Sequence, residues 1–298
     1  MGTPIPLLHS AITIMTPLLF AAMGGLFTER AGMLNIALEG QLLMGAFVGL
    51  VFTHLSGNLP IGILVAALCS MALAALMGAL TIRLKANVFI TGLATNLFAT
   101  GITVALAHRF FATRGLIAPS AMPRLPTLAI PALARIPILA DVLQEHTWYV
   151  YASWLLLLIS WFCLYRTSFG FRLRACEAQE EALVSLGLKP SFYRFVAFLI
   201  SGLCCGIGGS FLSLNIGVFV PNMSAGKGWI ALVVIFLGNR HPAGLWIAAL
   251  VFGLAEAFSN YAQGMFRIPA DFTLALPYIF TLFVMVAGSA LKKHSNRF

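Results

Sequence analysis

Residues 166–194, RTSFGFRLRACEAQEEALVSLGLKPSFYR, are the one long polar segment that joins many charges to a compact helical pattern, and apolar runs flank the segment on both sides. Within it, Ala178, Ala182 and Leu186 share one helical stripe with Leu183 beside it. Glu177, Glu180 and Glu181 take the other side and the early turns. Gly187 offers a left-handed stop, and Pro190 bars continuation. The pattern predicts a short amphipathic helix over residues 177–186, lying like a handle across the inner mouth of a bundle. A solvated connecting helix is the plainer alternative.

Outward from the handle the chain is nearly all membrane. Hydrophobic residues make up 60% of it and charged residues only 9%, against roughly 25% charged in soluble domains. Runs of the roughly 20 residues needed to cross a hydrocarbon core about 30 Å thick cover residues 5–27, 36–55, 61–82, 88–107, 148–165, 195–214, 243–261 and 272–291. The run at residues 229–238 is too short to cross unaided. The expected fold is therefore an all-α, polytopic transmembrane bundle, residues 1–298 forming one integral domain with about eight full spans and one half-span.

Orientation follows from Lys and Arg, since short basic loops resist translocation. With the handle inside, Arg30, Arg83, Lys85, Arg166, Arg172, Arg174, Lys189, Arg194, Arg240, Lys292, Lys293 and Arg297 lie on the cytoplasmic side. Arg109, Arg114, Arg124, Arg135, Lys227 and Arg267 lie outside. The N-terminus is then outside and the C-terminus inside, provided that residues 229–238 and nearby irregular backbone together make a crossing. The net charge of +9 would suggest nucleic acid for a soluble protein. Here anionic membrane lipid and topology account for it, and no nucleic-acid partner is expected. No Lys or Arg precedes Arg30, so the N-terminus lacks the basic region of a cleavable signal and the first span is expected to stay.

Residues 109–147 form an extracytoplasmic excursion whose Pro119, Pro123, Pro126, Pro131 and Pro137 prevent one long helix. Short surface helices that dock a partner, or a plain tether, are the two readings. Cys69, Cys163, Cys176, Cys204 and Cys205 lack metal-ligand spacing and read as small core residues. Gly24, Gly25, Gly202, Gly206, Gly208, Gly209 and Ser210 suit close helix contact.

Polar side chains inside apolar spans are costly and usually face a bundle interior or a water-filled path. Glu256, Ser259, Asn260 and Gln263 share one helical face. Asn96, Thr100 and Thr103 share another, with Thr91 and Thr95 adjacent, and Asn35 and Glu39 lie one turn apart at the start of the second span. Asn35, Glu39, Asn96, Glu256 and Asn260 are the candidates for a substrate path. Interhelical hydrogen bonding is the plainer reading, above all for the threonines. The half-span after Gly226, Lys227 and Gly228 matches either the broken helix of a transporter or a re-entrant support. The chain carries no nucleotide-binding G-x-x-x-x-G-K-[ST], no nucleophile elbow and no His-Glu-x-x-His helix, so an enzyme is not expected.

Four segments carry a resemblance: residues 27–40 (FTERAGMLNIALEG), the handle ending in SLGLKPSFYRF, residues 199–214 (LISGLCCGIGGSFLSL) and residues 228–244 (GWIALVVIFLGNRHPAG). Together they resemble the permease subunit of ABC importers of the ribose, branched-chain amino acid and nucleoside group, nearest its simple-sugar and nucleoside branch. The resemblance implies a multi-pass protein of the bacterial inner (plasma) membrane that moves a nucleoside or simple sugar by alternating access. It implies pairing with a second permease subunit, the same or homologous, with ABC ATPase subunits that bind ATP and Mg, and with an extracytoplasmic substrate-binding protein. No cofactor is expected in this chain. The handle, with Glu177, Glu181, Ala182, Leu183, Leu186 and Gly187, then takes the place of the coupling helix that docks in the ATPase groove, and its ACEAQEEAL stretch is more acidic than relatives would lead one to expect. The rival reading is an ion-coupled secondary transporter of a small polar solute. It calls for inverted repeats, of which LNIALEG and LNIGVFV give only a faint echo.

Overall fold

The computed structural model describes residues 4–113, 115–119, 122–128 and 145–266. Among them, seven helices are long and apolar enough to cross a membrane, and one shorter apolar helix lies between the last two. In chain order the elements are α1 (Pro4–Arg30), α2 (Leu38–Ser56), α3 (Leu59–Ile82), α4 (Val88–Phe111), β1 (Thr127–Leu128), β2 (His146–Thr147) and α5 (Trp148–Arg166). Then come α6 (Ser168–Ala178), α7 (Glu180–Ser185), α8 (Pro190–Ile216), α9 (Lys227–Leu237) and α10 (Pro242–Phe266). The expected span over residues 272–291, with Arg267, Lys292, Lys293 and Arg297, lies outside the described residues.

Local chemistry sets the helix ends. Gly57 turns left-handed after α2, and Pro60 occupies the first turn of α3, where its missing N–H costs nothing. The Asn87 side chain accepts from the N–H groups of Phe89 and Ile90 to start α4. Pro190 opens α8, and the left-handed Gly217 closes it.

Hydrophobicity alone does not say which spans are central; packing does. The α1 window is 89% buried and α2 78%, while α4 and α5 reach only 28%. α8 is the hub, because small residues let three neighbours approach it. A Cβ on Gly202 would lie 2.7 Å from the Met71 Cα of α3, and one on Gly206 2.6 Å from the Ala66 carbonyl. One on Gly208 would lie 2.6 Å from Phe20 of α1, and one on Gly209 would overlap the Leu42 carbonyl of α2. Hydrogen bonds pin the seams, including Ser213 Oγ donating to the Ala46 carbonyl at 2.6 Å and the pairing of Tyr149 with Ser210 at 2.7 Å. The predicted core role holds for Cys176, Cys204 and Cys205, which are buried; Cys69 and Cys163 are half-buried.

The two ends of the bundle differ. At one, α1 and α9 end beside the handle. At the other, His9 stacks on His146 at 3.9 Å, β1 pairs with β2, and Ile117 bridges Phe219 just after α8. Of the long excursion, residues 129–144, with Arg135, Pro131 and Pro137, lie outside the described residues, as does Arg114.

The handle departs from the single helix expected over residues 177–186. It is two helices, α6 and α7, broken at Gln179 (φ −151°, ψ 62°). Arg194 of α8 explains the break. Its Nη2 takes the Cys176 carbonyl at 3.1 Å, the acceptor that the Glu180 N–H would use in a continuous helix. Its guanidinium also grips both Glu180 oxygens at 3.0 and 2.8 Å. The expected apolar stripe also turns over: Ala178, Ala182 and Leu186 are exposed, and Leu183 is the buried residue, packed in the main core. Burial pushes the Cys176 thiol up from its ordinary range, although the nearby Arg194 opposes the shift. The left-handed stop does fall at Gly187 (φ 75°), and α8 does begin at Pro190.

Candidate functional site

Eleven residues long, α9 spans about 16 Å, half of a membrane core about 30 Å thick. It is too short to cross such a core unaided, and its first N–H groups need acceptors from elsewhere in the chain. The chain reaches that point through left-handed backbone at Asn222, Ala225 and Gly226. Glu39, on the first turn of α2, meets it there. Oε1 accepts from Ser224 Oγ at 2.5 Å and the Gly226 N–H at 2.8 Å, and Oε2 accepts from the Gly228 N–H at 2.7 Å. A carboxylate at a helix N-terminus gains from both the hydrogen bonds and the dipole. Gly228 packs so tightly on the Glu39 backbone that a Cβ there would overlap it.

A cation holds the other end. Arg30 donates to the Arg240 carbonyl just past α9, from Nε at 3.0 Å and Nη2 at 2.6 Å, and Nη2 also donates to Tyr165 Oη at 3.0 Å. Arg240 pairs in turn with Glu29 at 2.8 Å and with Glu177 of the handle at 2.7 Å. Between its two ends α9 rests on α1, where Gly25 leaves room for Ile235.

The remaining path candidates fall around the same corner. Asn35 is fully buried; its amide donates to Gln41 Oε1 at 3.0 Å and Ser201 Oγ at 2.8 Å, and its Oδ1 accepts from the Ala37 N–H at 3.0 Å. Asn96 Oδ1 accepts from the Gly40 N–H at 2.7 Å, and its amide donates to the Ile36 carbonyl at 3.0 Å. Both tie down the bend between α1 and α2. Thr91, Thr95, Thr100 and Thr103 donate back along their own helix to the carbonyls of Asn87, Thr91, Asn96 and Ala99.

Glu256 accepts from Lys227 Nζ at 2.6 Å. The two side chains are 30% and 14% exposed, so the acid is the more accessible partner. Asn260, one turn further along α10, is exposed. Glu39 and Glu256, from different spans, thus converge on one turn at the head of α9. In the handle, Glu177 is committed to Arg240, while Glu181 and Leu186 face outward. Arg30, Ser224, Lys227 and Arg240 complete the constellation and were not among the path candidates. For Ser224, Lys227 and Arg240 the only signal was a charge or hydroxyl beside a helix too short to span, while nothing in the sequence tied Arg30, at the end of α1, to that helix.

The family described as "Branched-chain amino acid transport system / permease component" matches residues 7–287. Among similar proteins, a putative glucose ABC transporter permease protein of Haloferax volcanii is 33% identical over 87% of this chain and 78% of its own length. A nucleoside ABC transporter permease protein of Lactococcus lactis is 30% identical over 91% and 88%. A guanosine ABC transporter permease protein of Bacillus subtilis is 31% identical over 93% and 89%.

Proposed function

This chain belongs to the branched-chain amino acid transport system permease family, and from that premise we propose that it is a membrane-spanning subunit of an ATP-driven importer of a nucleoside or simple sugar. The cargo class rests on the names of the three relatives. In this reading the handle lies in the cytoplasm, the N-terminus outside and the C-terminus inside the bacterial inner membrane. Partner ATPase subunits bind ATP and Mg and seat on the handle. A second permease subunit completes the path, and an extracytoplasmic binding protein delivers cargo at the end where His9 meets His146.

The observation that carries the reading is the pairing of Arg240 with Glu177. It joins the handle to α9, and α9 bears at its head the Lys227–Glu256 pair. A displacement of the handle is passed along one short rigid helix to charges inside the bundle, which is the link that alternating access by a separate motor requires.

The test is transport. The chain co-expressed with its partner subunits and reconstituted in vesicles is expected to take up labelled guanosine or glucose only when ATP is supplied on the handle side. Uptake driven by an ion gradient, with no ATPase subunit present, would overturn the proposal.

A further inference from the structure

On the surface of the bundle, Trp154, Leu157 and Leu158 of α5 face Ala243, Trp246 and Ile247 of α10 across an apolar groove. The same face of α5 continues through Trp161 and Tyr165 toward the handle, and the Tyr165 ring lies 5.2 Å from that of His241, just before α10 begins. Two guanidinium groups sit at this mouth. Arg166 lies over Trp161 at 5.5 Å, and Arg174 over Tyr165 at 4.8 Å. Neither has a carboxylate within ion-pair distance among the described residues; Glu29 and Glu177 are held by Arg240, and Glu180 by Arg194. The Nε of Arg174 is buried with no hydrogen-bond acceptor in the described structure. A buried charged donor without an acceptor is costly, so the mouth is short of an anion while the groove is short of an apolar body.

We propose that this groove binds one anionic phospholipid. An acyl chain lies along Leu158, Trp246 and Ile247, and Arg166 and Arg174 take the headgroup phosphate. Basic pockets between spans at the face carrying positive charge suit such headgroups. The aromatic pair Trp161 and Tyr165 matches the interfacial depth at which a headgroup would sit. A zwitterionic lipid offers the same phosphate but brings its own cation, so net negative charge is the selecting feature.

The full chain, with the subunits that co-purify, is placed in nanodiscs of phosphatidylcholine and phosphatidylglycerol, and lipids retained after mild extraction are counted by native mass spectrometry. The natural protein is expected to keep phosphatidylglycerol in preference, and R166Q/R174Q to hold it about 30-fold more weakly, from about 1 kcal/mol per basic residue. Arg83→Gln, at the end of α3, keeps the preference. Trp246→Ala, with both charges intact, weakens retention as well, which separates a groove from a merely basic surface. Equal retention of phosphatidylglycerol by the natural protein and R166Q/R174Q would overturn the proposal. So would equal retention of both lipids, or a photocrosslink from position 158 to residues 272–291.

Discussion

Arg30 and Glu39 hold opposite ends of one helix. The guanidinium takes the carbonyl that follows α9 and the carboxylate takes the N–H groups that precede it, so each charge opposes the partial charge of the terminus it meets. Both residues belong to residues 29–40, the bend between α1 and α2. Physical function thus explains why this stretch reads so distinctively: the bend is a bracket for α9.

Glu39→Gln is expected to lower stability although the shape is kept. Oε1 can still accept, but an amide NH₂ would face the Gly228 N–H, two donors opposed, at a cost of about 1–3 kcal/mol. Thermal melts in detergent should fall for Glu39→Gln, and by more for Glu39→Ala. An unchanged melting temperature would remove the bracket as a source of stability.

Gly228→Ala should be worse than its size suggests, because the added methyl overlaps the backbone of Glu39. Overpacking costs typically about 1–3 kcal/mol, occasionally more, and here neither backbone can yield freely. Folded yield by gel filtration is the measurement. A normal yield would show that α9 can move away from α2 without penalty.

Lys227→Met leaves Glu256 without its cation, and Glu256→Gln leaves Lys227 without its anion. Each single change should cost roughly 1–3 kcal/mol, while the double change Lys227→Met/Glu256→Gln should cost less than the sum. Uptake is expected to fall in all three, since the pair sits at the head of α9. Strict additivity in stability would mean that the two side chains do not interact in the membrane.

In the handle, Leu183 and Leu186 should behave oppositely. Leu183 is 3% exposed and lies in the core, so Leu183→Asp is expected to prevent folding, as burying an unpaired charge does. Leu186 is 75% exposed, so Leu186→Asp should fold normally yet lose stimulation of ATP hydrolysis by cargo. Preserved stimulation would place the docking surface elsewhere on the handle.

The seven spans among the described residues were legible because each needs only an unbroken apolar run, and that property is local. So were the shortness of α9, the stop at Gly187 and the use of small residues along α8. The break at Gln179 was not, because it depends on Arg194 capturing a carbonyl from a neighbouring helix, and ACEAQEEAL alone reads as continuous helix. The partners of Glu39 were hidden for a similar reason. They are mostly backbone N–H groups more than 180 residues away, and a main-chain donor has no signature in the one-letter code. Lys227 and Glu256 each stood out as charges near apolar runs, but nothing in a separation of 29 residues announced that they meet.

The bracket formed by residues 29–40 has a consequence for building hybrids between relatives. Exchanging α9 alone, or cutting between Arg30 and Glu39, would combine a helix with ends shaped for one frame and a frame shaped for another. Crossover points placed before residue 29 and after residue 40, with α9 taken from the same parent, keep the mortise and its tenon together.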